Sequence, residues 1–78
     1  MNEKSIKEQF RPFLPKGYID TIRRRLSNRG ISRSRSYIGD VCNPLKSSYE
    51  SEIITEALQL AAEQKKIKEE HLKLAKQL

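Results

Sequence analysis

All seven arginines of this 78-residue chain fall between Arg11 and Arg35. The planar guanidinium fork matches phosphate oxygens and the guanine edge, so such a cluster points to polyanion recognition. Directly behind it lie Ser36 and Asn43, whose side chains can exchange hydrogen bonds with base edges, and Gly39, which lets a backbone approach closely. Groups able to do covalent or metal chemistry are isolated. His71 is the single histidine and Cys42 the single cysteine. A metal site or an acid–base centre needs partners that neither has. The serines of SRSRS lack a general base. There is no glycine-rich phosphate loop and no pair of carboxylates on a common face. The expectation is a protein that is not an enzyme and holds no metal, cofactor or small-molecule substrate, with Cys42 as a small core residue.

These residues must be positioned by short elements, because prolines and glycines divide the chain into four pieces. In the first, Ser5-Ile6-Lys7-Glu8 has the form of a capping box that starts a short helix, which Pro12 ends. Residues 11–16 then read as extended, with Phe13 and Leu14 as anchors. The second piece, Gly17 to Asn28, predicts a helix with Tyr18, Ile19, Ile22 and Leu26 on one face. Asn28-Arg29-Gly30 stops it with a left-handed cap, and Ile31 plugs the following turn. The third piece predicts a helix over 34–43, capped by Ser34. Ile38, Val41, Cys42 and Leu45 recur at i, i+3, i+4 and i+7 and form its inward stripe. Capping at Ser32 instead would turn Ser36 and Gly39 inward and bury nothing useful.

The fourth piece is the longest. Ser47-Ser48-Tyr49-Glu50 forms a second capping box, with Ser47 as cap. From Glu50 to Leu78 there is neither proline nor glycine. Ile53, Ala57, Leu60, Gln64, Ile67, His71, Leu74 and Leu78 follow one another in alternating steps of four and three, a heptad seam. Ile54, Leu58 and Ala61 widen the apolar face in the first half alone. That half is expected to pack on the domain. The seam from Leu60 through Gln64, Ile67, His71, Leu74 and Leu78 is expected to pair two copies, with the polar positions setting register.

Charge follows the same division. Residues 1–46 carry eleven basic and four acidic groups, whereas residues 47–78 carry five basic and six acidic. The overall +6 and the pI near 9.7 favour anionic partners without bearing on fold. Aromatic residues make up only 6% of the chain and there is no Trp, so the core must be thin, which oligomerisation would supplement. No apolar run is long enough to span a bilayer, and residues 1–10 show no secretory signal. A lone cysteine fits a reducing cytoplasm, the expected location.

The segment LPKGYIDTIRRRLSNRGISRSRSYIGDVCNP resembles small bacterial helix-turn-helix proteins of the lambda-repressor-like class. The resemblance rests on the LPKGY opening, on Tyr37, Ile38 and Val41, and on Asn43-Pro44. It departs in its turn, where Arg29 to Arg33 replace the usual three or so residues. The resemblance implies an all-α fold, a small helix-turn-helix domain with a long C-terminal helix. The expected organisation is an N-terminal arm or short helix over 1–13, a DNA-binding domain over 14–62, and an extension over 63–78. It also implies that the helix 34–43 lies in the major groove of double-stranded DNA.

The expected contacts are Arg33, Ser34, Arg35, Ser36, Tyr37, Gly39, Asp40 and Asn43, joined by Arg23, Arg24 and Arg29. Arg33 and Arg35 stand where the helix dipole disfavours positive charge, by about 0.3–1 kcal/mol each, and a bound phosphate would offset that. Asp40 either accepts from a cytosine amino group or pairs with a neighbouring arginine. The leading expectation is a sequence-specific DNA-binding transcriptional regulator, a homodimer reading half-sites about 34 Å apart. The alternatives are a helical adaptor docking partners through the C-terminal seam, and an RNA-binding accessory protein.

Overall fold

The computed structural model describes residues 2–78 and is all-helical, with four helices and no strand among them. Helix α1 spans Glu3–Phe10, a 3-10 turn covers Arg11–Phe13, α2 spans Tyr18–Asn28, α3 Arg35–Cys42 and α4 Ser51–Ala75. Helix α4 is the spine. The first three helices and the 3-10 turn all rest on it, and α2 also packs on α3. None of the helices is long and apolar enough to cross a membrane.

The core is one cluster: Phe10 from α1, Ile22 and Leu26 from α2, Ile38, Val41 and Cys42 from α3, and Ile53, Ile54, Ala57, Leu60 and Ala61 from α4. The spacing predicted for α2 and α3 therefore produces the inward faces observed. Helix α2 ends as its sequence requires. Gly30 takes a φ of +77°, its N–H donates to the Ser27 carbonyl at 3.0 Å, and the Ile31 N–H donates to Leu26 at 2.9 Å. That is a Schellman cap, which needs a residue that tolerates left-handed backbone. Ser34 caps α3, its hydroxyl accepting from the Tyr37 N–H at 3.2 Å. The segment 29–33 thus forms the long turn that the apolar register demanded.

Four local expectations are corrected. Helix α1 starts two residues before Ser5, because the Asn2 side chain accepts from the Ser5 N–H at 2.8 Å and caps it. Residues 11–13 coil into a 3-10 turn instead of extending, with Pro12 in the first turn, where its missing N–H costs nothing. Leu45 leaves the apolar stripe of α3 and is 86% exposed. Asn43 is held extended ahead of Pro44, and its side chain accepts from the Leu45 N–H at 2.9 Å, so the chain turns away. Finally, α4 begins at Ser51 with Glu50 as its cap residue and no side-chain cap bond. The predicted box at Ser47 does not form: the Glu50 carboxylate that would close it binds Arg33, and Lys7 holds the Ser48 carbonyl in the loop before the helix.

Lys7 is the largest surprise. It is 1% exposed, and its ammonium donates to the backbone carbonyls of Asn43, Lys46 and Ser48. A side chain of α1 therefore ties down the loop between α3 and α4. Of the two readings of this segment, arm or short helix, the helix is the one that forms, and Lys7 and Phe10 make it part of the packed interior.

Cys42 is fully buried in the core, as expected. Burial pushes its thiol from 9.0 up to about 11, against a smaller opposing pull from Arg11 and Lys7. The thiol should resist an aromatic disulfide reagent in the folded protein at pH 8 and react fully in denaturant. Because the folded value lies above the unfolded one, the unfolded chain ionises first. The thiol's contribution to stability is thus intact below pH 9 and is lost between 9 and 11. Denaturant titrations of the native chain and a Cys42→Ala variant check this. The native chain should lose more stability than the variant across that range.

Candidate nucleic-acid interface

The arginine cluster is largely neutralised from within. Arg25 binds Glu63 through both terminal nitrogens, at 2.9 and 3.1 Å, and Arg29 binds Glu56 at 2.9 Å. The first pair's hydrogen bonds hold the Glu63 carboxyl below its usual range and raise the Arg25 guanidinium. The pairing has a simple geometric origin. Arg25 on α2 and Arg29 at its C-terminal cap lie four apart, Glu56 and Glu63 lie seven apart on α4, and each pair shares one helix face. The two helices run in opposite senses, so the first arginine meets the later glutamate. The spacing of each stripe is visible in the sequence, but that the two stripes face each other is set by the packing of α2 on α4. Glu56, only 7% exposed at its side chain, depends on Arg29 as its charge partner.

At the start of α3 the same substitution recurs. Arg33 forms a two-pronged contact with Glu50, at 2.9 and 3.0 Å from its Nε, and Arg35 meets Asp20 at 2.8 Å. Carboxylates of the chain thus offset the unfavourable helix-end charge that a phosphate was expected to offset. Asp40, expected to pair with an arginine, forms no ion pair among the described residues; Asp20 takes Arg35 in its place. Arg11 stands over the Tyr18 ring, 4.8 Å from its centroid.

The predicted outward strip on α3 is broken up. A Cβ on Gly39 would stand 3.4 Å from Ile19 Cδ1, so Gly39 faces α2 and allows close helix packing, not approach of a ligand. Asn43 is half-buried and is spent on the turn at Leu45. Tyr37 packs against the core edge, and the Ser34 hydroxyl is occupied as the cap. Arg35, Ser36 and Asp40 remain exposed on α3.

Two arginines keep their forks open. Arg23 and Arg24 are exposed and make no ion pair among the described residues. With Asp20, Ser27 and Asn28 they line a shallow groove of about 350 Å³ on the outer side of α2. Asp20, at one end of that groove, is the residue that holds Arg35. Asp20 thus links the groove to Arg35 in the first turn of α3, where Ser36 is exposed. Arg23 and Arg24 share the groove with the hydrogen-bonding side chains of Asp20, Ser27 and Asn28.

Of the predicted seam, Leu60 is 3% exposed and belongs to the chain's own core. Gln64 is half-buried, and Ile67, His71, Leu74 and Leu78 are exposed. No group of three or more His, Cys, Asp or Glu among the described residues could hold a metal ion.

Fold and site together define a small all-helical protein with an open basic groove on α2 and a projecting C-terminal helix. No protein-family model, curated protein or solved structure matches the chain.

Proposed function

We propose that the protein binds double-stranded DNA, as a small transcriptional regulator, through the surface formed by the outer side of α2 and the first turns of α3. The observation that carries this reading is the open pair Arg23 and Arg24. They are left free where Arg25, Arg29 and Arg33 are tied to glutamates, and they line a groove with Asp20, the residue that holds Arg35 at the start of α3. In this reading Arg23 and Arg24 grip backbone phosphates. Ser36 and Asp40 face base edges, where Asp40 can accept from a cytosine amino group. The Arg35–Asp20 pair is exposed on both sides, 61% and 59%, so it contributes little to stability and can open to hand Arg35 to a phosphate. Arg29, Arg33, Gly39 and Asn43 have structural duties and drop out of the contact set.

Binding to a pool of random duplexes, followed by fluorescence anisotropy across a salt series, tests this. The double variant Arg23→Ala/Arg24→Ala should bind more weakly on every duplex. Its salt slope should fall by about 0.9 for each phosphate contact removed. Arg35→Ala should weaken binding with a thermal midpoint within about 2 °C of the parent, as expected for an exposed pair. Unchanged duplex affinity in the double variant, or a preference for RNA over every duplex, overturns the reading.

A further inference from the structure

We infer that Asp20 is a built-in competitor for phosphate, one carboxylate shared among Arg23, Arg24 and Arg35 that limits how many of them hold a polyanion at once. The inference rests on the DNA-binding reading and assigns that surface its internal restraint.

The geometry gives Asp20 three arginines to choose from. Its carboxylate meets Arg35 across the contact of α2 with α3, at 2.8 Å. It also lines the groove of Arg23 and Arg24. Those two follow Asp20 on α2 by three and four residues, the spacing at which side chains of one helix reach each other. Glu50, Glu56 and Glu63 are placed differently, each holding a single arginine that is less than half exposed. The Asp20–Arg35 pair alone among these four has both partners more than half exposed. An ion pair in that setting is weak and exchanges readily.

A phosphate that draws Arg35 away therefore does not leave Asp20 alone. The carboxylate turns to Arg23 or Arg24, and one of the three guanidinium groups stays neutralised. Two phosphates can be held without cost. A third can be held only by leaving Asp20 unpaired beside the backbone, where like charge repels it. Asp20 also stands in the first turn of α2, where a carboxylate suits the helix dipole. That role accounts for an acid at this position but not for its reach to α3.

Asp20→Asn keeps the size of the side chain and removes its charge. By fluorescence anisotropy on one duplex near about 0.1 M salt, it should bind about three- to tenfold more tightly. The salt slope should steepen by about 0.9, one further phosphate neutralised. Glu70→Gln makes the same change in net charge on an exposed part of α4 outside the groove, and should move affinity less than about twofold. The gain from Asp20→Asn should persist in an Arg35→Ala background, because Arg23 and Arg24 are released there too. A gain confined to chains that keep Arg35 overturns the sharing, since Asp20 would then serve Arg35 alone. Unchanged affinity with a lowered thermal midpoint, or an equal gain from Glu70→Gln, overturns it as well. All three results leave the DNA-binding reading intact, which falls instead if Arg23→Ala/Arg24→Ala binds as tightly as the parent.

Discussion

Replacing Lys7 with methionine should lower the thermal midpoint by about 10–25 °C, following from a loss of about 2–4 kcal/mol in a domain of this size. Methionine fills the same space without the ammonium. The carbonyls of Asn43, Lys46 and Ser48 would lose their donor. A buried acceptor left unpaired costs the desolvation free energy of the group, while a hydrogen bond from a charged donor is worth more than a neutral one. Part of this is offset because the ammonium no longer has to be buried. No carboxylate forms an ion pair with Lys7 among the described residues, so the substitution strands no opposite charge. The damage should be directional. Hydrogen exchange should rise first over 43–50, the loop that Lys7 gathers, and over α1. Thermal denaturation followed by circular dichroism decides the matter, and a midpoint within about 3 °C of the parent would mean that the three contacts carry no net stability.

Ile38→Ala should cost about 2–5 kcal/mol, enough to leave a domain of this size largely unfolded at 37 °C. Ile38 is fully buried on α3, in the cluster that joins α2 to α4. Truncation removes three carbons and leaves a cavity that short rigid helices can close only in part. Leu45→Ala is the matched control. Leu45 sits seven residues on in the same apolar repeat, yet it is 86% exposed, so the same kind of truncation should change stability by less than about 0.5 kcal/mol. Equal losses from the two variants in urea titrations would mean that the inward face of α3 is misassigned.

The contrast between Ile38 and Leu45 marks where local reasoning holds. The sequence alone determined helices α2, α3 and α4, the faces that α2 and α3 bury, that of the first half of α4 except for Leu58, which is 43% exposed, the cap at Ser34 and the stop at Gly30. Each depends on residues within about two helical turns, and apolar periodicity and backbone conformational preference act over that range. The start of α4, the fate of Leu45 and the packing of α1 were decided otherwise. Glu50 has local capping chemistry, but Arg33, 17 residues away, takes its carboxylate, and Lys7, 41 residues from Ser48, holds that residue's carbonyl in the loop.

The candidate site divides in the same way. Composition showed a basic cluster, yet which arginines stay open depends on which acidic side chains the helix packing brings beside them. Arg25 and Arg29 face α4 and find Glu63 and Glu56; Arg23 and Arg24 face solvent and find none. A charge is visible in the chain, but its neutralisation is a matter of distance. Residues remote in sequence come within about 3 Å only once the fold has formed.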